Sequence, residues 1–288
     1  MLHYVKGILN FSIFRPEPDD PEAAWKARFA GKNTVLLNIG RAGLGFSVID
    51  PKGRVKFTDR RRGELRDLFV DVLPIVKENA SDGWCAVSLD TRYMVSIETN
   101  LSRKKGSEEA IKIDARSILH GRFERGKIYA VTHNPETNSS LLLSYDADFI
   151  KKTEATLKER GLKVGRLLCG VYVLLRYALG ATNTKKGTEN PVSALYLATC
   201  AGSVCALLQI KDNWVEIRSR PDVFFDDLQP LVELISPFAE RLPEGADVVV
   251  ACDEPVPGLP EKMASVFPGQ KINDLTSPGL LAELIYKS

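Results

Sequence analysis

Short apolar runs alternate along this chain with stretches in which apolar residues recur at helical spacing, and the alternation follows the same order twice. The segments Thr34 to Asp50 and Ser193 to Gln209 can be laid together without a gap, which sets Gly43 against Gly202 and Lys52 against Lys211. Each segment reads as two strands. Each continues into a third short strand, Arg54 to Thr58 and Trp214 to Arg218, then a long amphipathic helix, then an apolar strand, Trp84 to Leu89 and Asp247 to Cys252. In the first helix, Gly63 to Asn79, the residues Leu65, Leu68, Phe69, Val72, Leu73 and Val76 form one apolar face. The second, Asp222 to Leu242, carries Phe225, Leu228, Leu231, Val232, Ile235, Phe238 and Leu242, and its prolines Pro230 and Pro237 predict a kink or a split. A repeated strand, strand, strand, helix, strand unit predicts two similar α/β lobes facing each other across a cleft.

Between the two copies lies an insertion with its own pattern. Arg92 to Asn100 alternates like a half-buried strand, Ser102 to Glu109 reads as a charged loop, and Lys127 to Thr132 and Leu141 to Tyr145 read as strands joined by a polar turn from Asn134 to Ser139. A helix follows from about Asp146 to Arg160, stopped by Gly161, and then a strand Lys163 to Leu168 feeds the apolar helix Gly170 to Leu179. The polar stretch Thr182 to Glu189 marks the expected lobe boundary. The expected organisation is an N-terminal arm (1–33), a first lobe (34–181) holding an inserted subdomain at about 92–165, and a reduced second lobe (188–288). The arm, with a turn at Arg15 to Pro18 and a short helical stretch from Pro21 to Ala30 carrying Trp25 and Phe29, either packs on the body or docks on another protein.

Composition narrows the chemistry. The 288 residues are 44% hydrophobic, enough for a substantial core, and 39 basic against 37 acidic side chains leave a net charge of +2, so no global field favours nucleic acid or a membrane surface. The five cysteines, in apolar runs and without a CxxC pair, read as buried reduced thiols of a cytosolic protein. No run approaches the roughly 18 apolar residues of a spanning helix and no signal-peptide pattern opens the chain, so membrane association is expected through a partner or the first few residues. His3, His120 and His133 are scattered without ligand spacing, which argues against a transition metal, and no nucleophile-elbow motif occurs. The basic triplets Arg60 to Arg62 and Arg103 to Lys105 read as solvated loops or as contacts for an acidic partner or phospholipid headgroups.

Gly40, Gly43 and Gly45 form a glycine-rich turn directly after an apolar strand. A dinucleotide fingerprint needs a helix next, whose N-terminal N–H groups hold the phosphates, but Phe46 to Asp50 is strand-like. The turn is therefore a β-hairpin, which can still cradle phosphate through backbone N–H groups. Two such hairpins flanking a cleft resemble the actin, Hsp70 and sugar-kinase superfamily, with its RNase H-like repeats. Within it, the run Leu141 to Val164 followed by an apolar helix resembles the actin-like PilM proteins of type IV pilus assembly and the cytoplasmic part of GspL-type proteins of type II secretion. The resemblance covers about residues 34–285 and implies a two-lobed actin-like fold with a small subdomain inserted in the first lobe. Its hairpins would clasp ATP phosphates, with an Asp on the first strand for the metal and water.

This chain departs from that pattern in its nucleotide motifs. The first-strand Asp is replaced by Asn38, whose neutral amide cannot supply the carboxylate a hydrated magnesium ion wants. No acidic residue opens the second hairpin near Ala198 or Thr199. The glycine cluster expected after the last strand is reduced to Asp253-Glu254-Pro255-Val256-Pro257-Gly258, in which acidic side chains and two prolines suit a nucleotide poorly. The resemblance then implies a vestigial nucleotide cleft formed by Asn38, Gly40, Gly43, Gly45, Gly202, Ser203, Asp253 and Gly258, with no cofactor, catalytic residue or metal. It implies a pseudo-ATPase scaffold, cytoplasmic and peripheral to the inner membrane, which binds the short cytoplasmic tail of a membrane protein in the groove between first lobe and insert and contacts the assembly motor ATPase. The alternative is an active ATP- and magnesium-dependent small-molecule kinase or ATPase, for which Asp50 and Asp90 are the nearest carboxylates; as plain turn residues they would precede Pro51 and Thr91.

Overall fold

A computed structural model of the chain describes residues 31–41, 43–80, 83–102, 107–183, 191–223 and 227–287. The arm up to residue 30, the Arg103 to Lys105 triplet, Phe225 and most of the polar linker lie outside the described residues. The first unit comprises β1 (Thr34–Ile39), β2 (Gly43–Ile49), β3 (Val55–Arg62), α1 (Leu65–Asn79) and β4 (Trp84–Leu89). Next come β5 (Tyr93–Thr99), the short helices α2 (Ser107–Ile113) and α3 (Ala115–Leu119), β6 (Lys127–His133), β7 (Ser139–Asp146), α4 (Ala147–Glu159), β8 (Lys163–Leu168) and α5 (Gly170–Asn183). The second unit holds β9 (Ala194–Cys200), β10 (Ser203–Ile210), β11 (Asn213–Arg220), α6 (Gln229–Ala239), β12 (Asp247–Cys252), α7 (Leu259–Val266), β13 (Lys271–Asp274) and α8 (Leu280–Lys287).

The two large sheets have one topology. The first runs β3-β2-β1-β4-β8 and the second β11-β10-β9-β12-β13, each with two antiparallel hairpin pairings followed by two parallel ones. The repeat read from the sequence is thus real, but its register is one residue off. Asp90 N–H bonds to Ile39 O at 3.0 Å in the first unit, and Asp253 N–H bonds to Thr199 O at 3.0 Å in the second. Ile39 faces Leu44 across its hairpin as Thr199 faces Val204. Gly43 therefore corresponds to Ser203, and Asn38 to Ala198. The gapless match on Gly43 and Gly202 fails because the glycines do different work. Gly202 sits at φ 82° in the hairpin turn, whereas a Cβ on Gly43 would lie 2.8 Å from the Arg61 carbonyl of the neighbouring strand. In a strand a one-residue slip exchanges the two faces.

Those faces sort the core. All seven residues of β9 are buried; Leu195 and Leu197 point to a cluster with Leu231, Ile235 and Phe238 of α6 and Met263 of α7. Ala194, Tyr196, Ala198 and Cys200 point the other way, into a cluster that includes Val35, Leu37 and Ile39 of β1 and Leu174 and Leu175 of α5. This larger core is common to both units because the units exchange their last helices. α5 packs on β9, β10 and β12 of the second sheet, while α8 returns to β2 of the first and touches α5. Leu280, Leu281, Ala282 and Ile285 of α8 are buried there, and Tyr286 Oη donates to Pro51 O at 2.7 Å.

The insert forms a three-stranded sheet, β5-β7-β6, with its own small core of Leu101, Ile111, Leu119, Tyr129, Val131 and Leu142. Helices α2 and α3 supply two of these residues from a region that reads in sequence as a charged loop followed by no clear pattern. Asp114 caps α3 by accepting from Ser117 N–H. The predicted α4 and its glycine stop are found: Asp146 caps it, and Gly161 at φ 81° lets Leu162 N–H reach Leu157 O at 3.0 Å. The predicted helix Asp222 to Leu242 is shorter, because Pro230 sets its start rather than kinking it; the chain enters α6 at Gln229 and leaves at Ala239, two residues after Pro237. The five cysteines are free and buried. Among the described residues no helix is long and apolar enough to cross a membrane.

Since α8 joins the shared core through Leu281, Leu281→Ala is expected to cost about 2–5 kcal/mol in urea unfolding. A loss below about 1 kcal/mol would mean that α8 is peripheral.

Candidate functional site

The C-terminal ends of β1, β4, β9 and β12 meet where the two units face each other. The hairpin β1–β2 turns at Gly40, whose N–H bonds to Gly43 O at 3.0 Å, and the hairpin β9–β10 turns at Ala201 (φ 50°) and Gly202 (φ 82°). These turns touch. A Cβ on Gly40 would lie 2.0 Å from Ala201 O, so the first hairpin needs glycine there because the second leaves it no side-chain space. The same closeness recurs at Gly170, the first residue of α5, where a Cβ would meet Cys200 Sγ and Ser88 Oγ at 2.5 Å and Leu281 at 2.7 Å.

Polar side chains bridge the closed surfaces. Asn38 Nδ2 donates to Asp253 Oδ2 at 3.0 Å and lies 3.1 Å from Cys200 Sγ, and Ala201 N–H donates to the same Asp253 oxygen at 3.0 Å. Asp253 Oδ1 is buried without a hydrogen-bond partner, and burial holds its carboxyl above the usual range. An aspartate at position 38 would face this carboxylate. Asn38 is neutral where the interface needs a donor. Beyond it, Arg60 Nη1 pairs with Glu254, so one member of the basic triplet is a bridge between sheets; Arg61 Nε pairs with Asp59 at 3.1 Å. All three arginines lie at the end of β3 rather than in a loop.

Asp90 corresponds to Asp253 in the other unit and is wholly buried. It accepts from Val171 N–H at 2.8 Å and Gly170 N–H at 3.3 Å at the start of α5, and from Ser88 Oγ. Desolvation raises its carboxyl to about 6, against the pull of those donors. The other carboxylate weighed from sequence, Asp50, lies at the far end of β2. It binds Lys52 N–H at 2.8 Å and Arg54 N–H at 2.9 Å, which fixes a turn and lowers its carboxyl.

Of the cleft residues read from sequence, Asn38, Gly45 and Asp253 line one remnant cavity of about 30 Å³, roughly the volume of one water. Gly40 and Gly202 belong to the touching turns. Ser203 is buried and donates to Tyr93 Oη at 3.0 Å, tying the second sheet to the insert. Gly43 packs within the first sheet, and Gly258 lies apart, at φ 74° ahead of α7. Sequence reasoning placed Ala201 in a phosphate-holding hairpin of the kinase alternative, but missed its contact with Gly40 and the correspondence of Asp90 with Asp253. The available signal was an Asp directly after the fourth strand of each repeat.

A larger concavity of about 670 Å³ lies between the insert and the first sheet. Both strands beside it, β6 and β8, are outermost in their sheets among the described residues, and so each has an edge to which no described strand is paired. Its wall includes Leu143, Leu167, Val173 and two exposed apolar residues, Ile113 (89%) and Ile128 (42%). Lys112, Arg116 and Lys127 stand on the rim.

No protein-family model matches this sequence, and no curated protein sequence does. Solved structures do. One titled as the PilM-PilN type IV pilus biogenesis complex matches at 15% identity over 84% of this chain and 88% of that one, with a TM-score of 0.56. The cytoplasmic domain of EpsL, an inner membrane component of the type II secretion system of Vibrio cholerae, matches at 12% identity over 89% and 94%, with a TM-score of 0.51. A Bacteroides thetaiotaomicron protein with an actin-like ATPase fold and unknown function matches at 10% identity over 89% and 96%, with a TM-score of 0.49.

Two measurements probe the closed site. Asn38→Asp is expected to lower stability at neutral pH by roughly 3 kcal/mol, the upper end of the cost of an unsatisfied buried acceptor, and to recover as acid protonates one of the two facing carboxyls; a pH-independent change would refute the pairing. Asp90 binds its proton more tightly folded than unfolded, so its stabilising contribution is complete below about 3.8 and is lost as pH rises to about 6. The stability of the wild type relative to Asp90→Asn should therefore fall across that window and level off above it; a flat difference would show an unshifted carboxyl. The chain has the actin-like fold, and the two hairpin turns of its units meet at Gly40 and Ala201.

Proposed function

We propose that this protein is a pseudo-ATPase scaffold of a type IV pilus or type II secretion assembly platform. The observation that carries the reading is the contact of Gly40 with Ala201, at the place where the superfamily's hairpins would clasp phosphates. A ligand site of ordinary size is several hundred Å³, whereas the cavity that Asn38, Gly45 and Asp253 line holds about 30 Å³. Two carboxylates at this seam are also engaged: Asp90 with the start of α5, and Asp253, through Oδ2, with Asn38 and Ala201.

The groove between insert and first sheet supplies the binding function. Its outer strands suit an extended tail that adds backbone hydrogen bonds, and Ile113 and Ile128 suit apolar side chains on that tail. The tail would belong to an inner-membrane partner, which would hold this protein at the cytoplasmic face, and the assembly motor ATPase would be a second partner. The similarity to a PilM-PilN complex and to an EpsL cytoplasmic domain supports this setting. The kinase alternative requires the lobes to part and both carboxylates to exchange their partners for a metal.

A peptide spanning the cytoplasmic tail of the pilus or secretion inner-membrane protein from the same genome tests the reading. Titration should show saturable binding that Ile128→Asp weakens at least about tenfold, the scale of one well-buried apolar contact, while the protein releases no phosphate from ATP with magnesium. Steady phosphate release would establish the kinase or ATPase alternative, and tail binding indifferent to Ile128→Asp would place the tail elsewhere.

A further inference from the structure

A second concavity, of about 690 Å³, opens on the other side of the first sheet, between α1 and α4 and above the ends of β1 and β4. Its charged lining is of one sign. Arg41 follows β1, Arg66 stands in the first turn of α1, Arg92 follows β4, and Lys152 and Arg160 come from the middle and the C-terminal end of α4; among the described residues no Asp or Glu lines it. The chain as a whole is nearly neutral, so five cations converging from four places is a local arrangement and not a general excess.

Two of the cations are held by aromatic rings and one by an ion pair. Arg92, at φ 52°, lays its guanidinium 5.1 Å from the ring centre of Phe149, and Arg160 lies 5.2 Å from that of Phe69. Stacking on a ring orients a guanidinium and leaves its N–H fork for an acceptor. Arg41 pairs with Asp222 of the second unit at 3.2 Å. Arg66, Arg92, Lys152 and Arg160 have no ion pair among the described residues. Beneath them Ile39, Phe69, Leu89 and Leu157 make an apolar floor.

We infer that this cavity binds a phosphorylated ligand, its phosphoryl oxygens on the guanidinium and ammonium groups and its organic part on the apolar floor. Four cations without an ion pair among the described residues call for more than the single charge of one carboxylate, and arginine forks match phosphoryl oxygens in bidentate geometry. The volume is that of a small-molecule site. The chemistry is common to a free organic phosphate and to a phospholipid headgroup. Because Arg41 and Pro221 carry the wall across to the second unit, a bound ligand would hold the two units together. The inference is independent of the tail groove, which lies on the opposite side of α4 and shares none of these residues.

Two arms of one experiment test it on the full chain. Pyrophosphate is titrated calorimetrically for the soluble source, and co-sedimentation with phosphatidylcholine vesicles, with and without phosphatidylglycerol, reports the lipid source. Binding in either arm should weaken about tenfold for each cation removed, as Arg66→Glu and Lys152→Glu. The control pair Lys151→Glu and Lys158→Glu, exposed on α4 outside the cavity, makes the same change in net charge and should leave binding intact. Thermal melting confirms that each variant is folded. Silence in both arms, equal loss in both variant pairs, or binding of an acidic peptide in place of phosphoryl ligands would overturn the inference.

Discussion

Between the two units backbone meets backbone, Gly40 against the carbonyl of Ala201, and this contact sets what the facing surfaces can be. With the hairpins touching, buried polar groups behind them are held by other groups of the protein. Asn38 meets Asp253, Asp90 meets the first N–H groups of α5, and Ser203 meets Tyr93. A cleft that must admit a nucleotide cannot commit its carboxylates in this way.

Helix exchange makes the contact durable. α5 belongs in sequence to the first unit and packs on the second sheet, and α8 does the reverse. Both meet in one apolar cluster with β1 and β9, so separating the units would expose a continuous core. Gly170 shows how little slack remains, since one added carbon there would overlap Ser88, Cys200 and Leu281 together. The same closed body leaves concavities on either side of α4, one with exposed apolar residues in its lining and the other with cations that, Arg41 apart, make no ion pair among the described residues.

Much of this was legible before the structure. Period-two and helical patterning located the paired sheets, α1, α4, α5 and the β5-β7-β6 sheet, because buried faces must be apolar wherever they occur. Other features were hidden for physical reasons. The true repeat register depends on hydrogen bonds between strands, and glycine matching misled because Gly43 and Gly202 answer different constraints. α2 and α3 are too short to show a periodic face, and α6 starts at a proline that reads equally well as a break. Closure itself was invisible, since no local pattern states that two glycine-rich turns touch. The basic cavity was invisible for the same reason, its cations being scattered from position 41 to position 160.

Closure makes a direct claim about the amides of the two hairpins, which hydrogen exchange can read. Peptides covering residues 36–46 and 198–206 would be followed by mass spectrometry without nucleotide and with ATP and magnesium. The account predicts protection comparable to that of the sheet cores in both conditions, with no change when nucleotide is added. Rapid exchange of these hairpins that slows on adding ATP and magnesium would mean that the cleft opens and accepts nucleotide, and the scaffold reading would fall.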